Sequence, residues 1–223
     1  MFPYASSDSS GVKLIPESSF KKHYPLTWKY LSENRRYLEN RENGKMKGPR
    51  WYAYGRSQAL DIMSLPKIFT PDIAAQSSFS LDESGDLFFT GGVAGGYGLL
   101  AKSNYSPKYL LGLLNSRLLE WFIHQIATQM RGGWYSYESR FIRNMPIPTV
   151  DVAVEAGNRM SEQMIQLVDK LLEAKKQVAS ARTEREKNFY ESKCATLDRQ
   201  IDTLVYELYN LTLEEIAIVE GDQ

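Results

Sequence analysis

Apolar residues recur along this chain with more than one spacing, and each spacing predicts a different kind of element. Trp28, Leu31, Arg35 and Leu38 stand three and four residues apart. Pro25 suits the first helical position, where its missing N–H costs nothing, so a helix is expected from there to about Arg41. Ser18 or Ser19 can cap a shorter turn before it, and residues 1–16 show little periodicity. The basic stretch ENGKMKGPR then ends the helix as a loop. Between Trp51 and Leu100 the spacing shortens towards two. WYAYGR, KIFTPDIA, SSFSLD and DLFFTG have the aromatic and β-branched content of short strands, with Asp82-Glu83-Ser84-Gly85 as a hairpin turn between the last two. Ser106-Pro107 opens one further helix, whose apolar residues from Leu110 to Phe122 surround most of its circumference. Such a helix belongs between layers. RGGWYSY returns to loop and extended signals, and MPIP closes the compact region.

Past Pro148 the pattern changes again. Met160, Met164, Leu167, Val168, Leu171, Leu172 and Val178 form one helical stripe; Phe189, Leu197, Ile201, Leu204, Val205 and Leu208 form a second. The charged stretch SARTERE divides them, which predicts an antiparallel helical hairpin. Two domains are therefore expected, residues 1–150 and residues 151–223. Charge divides at the same place: residues 1–150 carry 18 Lys/Arg against 12 Asp/Glu, and residues 151–223 carry 9 against 15, although the whole chain sums to zero. A polyanion-facing surface thus belongs to the first part.

Several chemistries lack their residues. GGVAGGYG fits neither the dinucleotide fingerprint nor a P-loop, and reads as a tight turn beside DLFFT rather than a phosphate cradle. His23 and His124 are far apart and the single cysteine, Cys194, has no partner at ligand spacing, so no metal is expected; His124 reads as a satisfied residue of a buried helix. A nuclease pattern starting at Pro71-Asp72 would need a lysine that Asp82-Glu83-Ser84-Gly85 does not supply. No nucleophile elbow is present. The longest apolar stretch, residues 109–126, is too polar for a membrane span, and the absence of a leader pattern and of a disulfide predicts a cytoplasmic protein.

What remains is a set of arginines, aromatics and glycines between apolar runs. In WYAYGRSQ, Arg56 and Gln58 have the fork and amide chemistry that reads guanine and adenine edges, and Tyr54 can pack or touch backbone. In RGGWYSYESR, Gly132 and Gly133 free Arg131 and Tyr135 to reach outward, with Arg140 nearby. Tyr97, in the glycine run, completes the candidates. The competing reading places half of these aromatics in the core, since alternate residues of a strand face inward.

In order and spacing, WYAYGRSQAL, TGGVAGGYGLL, YLLGLLNSRLLEWF and RGGWYSYESRFIRNMPIP resemble the TaqI-like C-terminal specificity domain of type IIG restriction-modification enzymes and adenine-specific DNA methyltransferases. The resemblance covers nearly the whole chain, from about Phe2 to about Glu220. It implies an α+β fold, a small antiparallel sheet flanked by helices and followed by a C-terminal antiparallel helical hairpin. It also implies sequence-specific recognition of double-stranded DNA, beside an upstream methyltransferase domain of the same polypeptide that binds S-adenosylmethionine. The family's cofactor motif and its Asn-Pro-Pro-aromatic tetrapeptide are missing, Asn144-Met145-Pro146 not matching, so this chain by itself is expected to carry no cofactor and no catalysis. The alternative is a helical protein-protein interaction module without DNA contact, in which the stripes of the hairpin continue into a partner.

Overall fold

The structure, a computed structural model, describes residues 1–7, 11–91, 95–148 and 155–221. It divides into two compact units, one of residues 1–65 with 84–88 and one of residues 66–83 with 89–223. The boundary expected near residue 150 falls inside the second unit. The domain boundary expected at residue 150 itself lies outside the described residues.

In the first unit, β1 (Tyr4–Ser7) and β2 (Gly11–Leu14) pair antiparallel with Tyr4 opposite Leu14, where no regular element was expected. The predicted helix is interrupted: α2 (Pro25–Glu33) stops at Asn34, α3 (Arg35–Glu39) continues, and α4 (Arg41–Gly44) is a turn with Glu42 and Asn43 in the left-handed region. Before them, α1 (Glu17–His23) follows Pro16 without a side-chain cap, so neither Ser18 nor Ser19 caps it. Phe20, Leu31, Trp51 and Tyr52 form the core, with Trp28 edge-on to both Trp51 and Tyr52. WYAYGR is not a strand, because Trp51, Tyr52 and Ala53 are buried consecutively instead of alternating. Arg41 holds that turn, its Nη2 donating to the carbonyls of Trp51 and Ala53 at 2.9 Å each.

The second unit contains two three-stranded antiparallel sheets. β3 (Lys67–Pro71) lies between β5 (Ser80–Asp82) and β6 (Gly96–Leu99); β8 (Trp134–Ser136) lies between β4 (Ile73–Ala74) and β7 (Gln129–Met130). DLFFTG, predicted to pair after the turn at Asp82, does not: residues 84–88 leave for the first unit, where the Phe88 ring meets Phe2 at 4.6 Å. The glycine run supplies the strand instead. Gly96 faces Pro71, and a Cβ there would lie 2.3 Å from the Thr70 carbonyl oxygen, so only glycine lets the two backbones approach.

The long leucine helix is two helices, α5 (Pro107–Leu114) and α6 (Arg117–Ile126). Asn115 breaks it by turning its amide to the main chain of Phe79, accepting from the N–H at 2.9 Å and donating to the carbonyl at 3.0 Å. Ser116, extended, then caps α6 through Leu119 N–H. After α7 (Ser139–Ile142), the tail forms α8 (Glu155–Ser180) and α9 (Glu184–Leu208), joined by three residues and packed together as the predicted antiparallel hairpin. A further helix, α10 (Leu213–Glu220), opens on a capping box of Thr212 and Glu215. Met164, Val168, Ile201, Leu204 and Val205 share one core with Leu113, Leu119 and Ile123. Phe189, assigned to the second stripe, is instead 63% exposed. Fold class is thus α+β, with small antiparallel sheets, helices and a C-terminal hairpin.

Candidate nucleic-acid interface

The sequence-predicted residues fall on both units. In the first, Arg56 and Gln58 are exposed and have no hydrogen-bond partner among the described residues. Tyr54 is committed elsewhere: its N–H donates to the Tyr4 hydroxyl at 2.8 Å, its own hydroxyl donates to the Met1 carbonyl, and its ring packs edge-on to Tyr4 and Phe2. Burial and the neighbouring Tyr4 push its phenol pKa up.

The second unit gathers the others around β8. That strand pairs on both sides, Ala74 and Gln129 both facing Tyr135, so it is the fixed centre of its sheet. The β7–β8 hairpin closes on Met130 opposite Trp134, and its tip is Arg131-Gly132-Gly133. Both glycines lie in the left-handed region, φ 82° and 78°, which side chains with a Cβ seldom adopt. Arg131 is exposed and has no ion-pair partner among the described residues. Gln129 and Trp134, which sequence reasoning did not single out, are exposed beside it; the RGGW string carries the signal for Trp134.

Beneath the hairpin, α6 sets His124 flat against Tyr135, ring centroids 3.8 Å apart and planes 12° from parallel. His124 Nε2 is 3.2 Å from the hydroxyl of fully buried Tyr137, as its reading as a satisfied helix residue requires. Burial lowers the imidazole pKa and pushes the Tyr137 phenol up to about 12.

At the far end of β8 stand Asp72, Tyr97, Glu138 and Arg140. Asp72 joins the two sheets: its N–H donates to the Gly95 carbonyl at 3.0 Å and its carbonyl accepts from Tyr137 N–H at 2.7 Å. Its carboxyl is buried, with Oδ1 unpartnered, and burial first and Glu138 second raise its pKa. Tyr97 on β6 is shifted upwards by burial, by Asp72 and by Glu138, against the opposing charge of Arg140. Arg140 donates from Nη2 to Glu138 Oε1 at 2.9 Å and lies 4.7 Å from the Phe141 ring centroid. Of the predicted set, Arg131, Gly132, Gly133 and Tyr135 therefore share one hairpin, and Tyr97 and Arg140 share one cluster.

The chain matches the TaqI-like C-terminal specificity domain over residues 21–147. It is 26% identical over 95% of its length to the type II restriction enzyme and methyltransferase RM.Eco57I of Escherichia coli, and 24% identical over 64% to the type II methyltransferase M.PaeR7I of Pseudomonas aeruginosa. A third relative, the type II methyltransferase M.BstVI of Geobacillus stearothermophilus, is 19% identical over 88% of the chain. These alignments take in 22%, 24% and 29% of the relatives' own lengths, so the chain spans about a quarter of the proteins it matches. With the match covering more than half of its residues, the β8 cluster and its hairpin included, the chain belongs to the TaqI-like C-terminal specificity domain family.

Proposed function

We propose that this chain is the DNA-reading part of a restriction-modification adenine methyltransferase, presenting the β7–β8 hairpin to the major groove. A two-stranded ribbon fits that groove, and the observation that carries the reading is the exposed Arg131-Gly132-Gly133 tip on a strand held from both sides. Arg131, without an acidic partner among the described residues, suits a phosphate; Gln129 and Trp134 flank it with amide and apolar surface. Arg56 and Gln58 supply a second exposed group of the same chemistry. S-adenosylmethionine binding and methyl transfer belong to a separate catalytic domain of the parent polypeptide, because this chain has neither the cofactor glycine motif nor the tetrapeptide that grips a flipped adenine.

Fluorescence anisotropy of the full chain with duplex DNA across a salt series tests this. Affinity should fall as salt rises, through counterion release. Arg131→Ala should weaken binding to all sequences alike and lower the salt slope by about one. Unchanged affinity and slope in a folded Arg131→Ala variant would remove the hairpin tip from the interface. Micromolar binding of S-adenosylmethionine, read by calorimetry, would contradict the division of labour.

A further inference from the structure

We infer that Glu138 and Arg140 together read one base pair, taking a G·C pair by its major-groove edge; this rests on the DNA-reading function proposed above. The two side chains are fixed by contacts on the protein side. Glu138 Oε1 accepts from Arg140 Nη2 at 2.9 Å and from the hydroxyl of buried Ser136 at 3.2 Å. The guanidinium of Arg140 is further steadied over the Phe141 ring. Both groups nevertheless reach solvent, the Arg140 side chain being 63% exposed and that of Glu138 33%.

Their remaining bonding capacity decides what they can take. Among the described residues, Oε2 of Glu138 and Nη1 and Nε of Arg140 have no other hydrogen-bond partner, so the pair offers an acceptor next to a set of planar donors. A G·C pair displays the complement, N7 and O6 acceptors on guanine beside the N4 amino donor on cytosine. A phosphate fits poorly. The Glu138 carboxylate already neutralises Arg140, and the buried Asp72 carboxyl, whose Oδ1 is unpartnered, stands close enough to interact with Glu138. A surface ion pair two residues apart adds little stability. The buried Ser136 anchor and the aromatic support give it fixed orientation, which base reading needs.

The pair lies on the opposite side of Tyr135 from the Arg131 tip. Four steps of extended chain lead from Trp134 to Glu138, roughly 13 Å at strand rise, enough to place the two arginines on different base pairs.

The test is selection of a randomised duplex pool by the full chain, the enriched duplex then being titrated in parallel with its single-base-pair variants against the parent, Glu138→Gln and Arg140→Ala. Both sites are on the surface, and circular dichroism should show all three proteins folded. The parent is expected to enrich an invariant G·C pair at one position. Arg140→Ala should lose roughly 5- to 100-fold affinity for that duplex and become indifferent at that position; Glu138→Gln should widen the same position and no other. If both variants keep the parent's preference, or lose affinity for every duplex alike with a shallower salt slope, the inference fails while the DNA-reading function stands. If the folded parent binds no duplex at low salt, that function fails and the inference with it.

Discussion

Asp202 gives the fold a measurable dependence on pH. It lies on α9, 7% exposed, and its Oδ1 accepts from the Arg117 N–H at 2.9 Å at the start of α6. The Arg117 side chain reaches Glu220 of α10 at 2.7 Å, and Tyr206 donates to the same carboxylate, so three helices meet at this point. Burial is the largest cause of the Asp202 shift, with Glu220 adding to it and Arg117 opposing it, and its carboxyl is pushed up to about 6 from 3.8. The folded state therefore binds a proton more readily than the unfolded chain, and stability from this group falls as pH rises. Relative to a non-titrating side chain, Asp202 costs nothing below about pH 4. Its cost grows through pH 6, and two units correspond to at most about 3 kcal/mol, nearer 1 to 2 once residual solvent access is allowed for. Urea unfolding of the parent and of Asp202→Asn at pH 7.5, 6 and 5 isolates this term, because asparagine keeps the acceptor for Arg117 N–H. The parent should gain stability on the variant by about 1 kcal/mol between pH 7.5 and pH 5. Parallel curves, or a parent that loses ground in acid, would show that the carboxyl is solvated and that α6 is not fastened there.

Leu204→Asp, placing an unpaired charge among Val205, Met164 and Leu119, should destabilise the protein by about 3 kcal/mol or more, seen as a lowered melting temperature; an unchanged one would mean this face of α9 meets water. Asn115→Ala removes both bonds to the Phe79 main chain and should cost about 1 to 2 kcal/mol in chemical denaturation, whereas Asn115→Asp, which keeps only the acceptor, should recover part of it. Gly133→Ala meets no atom within 4 Å but must hold φ 78°, so about 1 kcal/mol of strain is expected with weaker duplex binding; equal binding would show that the tip's conformation is irrelevant.

The elements that were legible in the sequence are those whose order is written locally. Pro107 after Ser106, the repeat of apolar residues from Met160 to Val178, and the charged break before α9 each specify a helix or its end from neighbouring residues alone. Tertiary partners decided the rest. Nothing near Asn115 says that its amide will take the main chain of Phe79, and so one leucine helix becomes two. The DLFFT segment has strand composition, yet its Phe88 packs on Phe2, and glycines of low strand propensity pair with β3 because a backbone must pass close to Thr70. The same limit applies to the site. RGG predicts an exposed turn by the conformational freedom of glycine, while the stack of His124 on Tyr135 depends on where α6 and β8 are brought together.

That placement also shows what the acidic hairpin does for the fold. Sequence alone makes residues 151–223 look like an appendage, but α8 lies so close to α5 that a Cβ on Gly112 would stand 2.5 Å from Met164 Sδ and 3.0 Å from Val168. Helix α6, whose first turn is bonded to Asp202 of α9, carries the imidazole on which Tyr135 stacks. The β7–β8 ribbon, two residues paired with two, has few hydrogen bonds of its own to hold its side chains in place. Helices α8 and α9 pack on α5, and α9 on α6, in one shared core. The apolar stripes of both helices are thereby used within the chain. The β7–β8 hairpin and the helical hairpin thus belong to one compact unit, and cutting at residue 150 would uncover the face of α5 that Gly112 presents to Met164 and Val168.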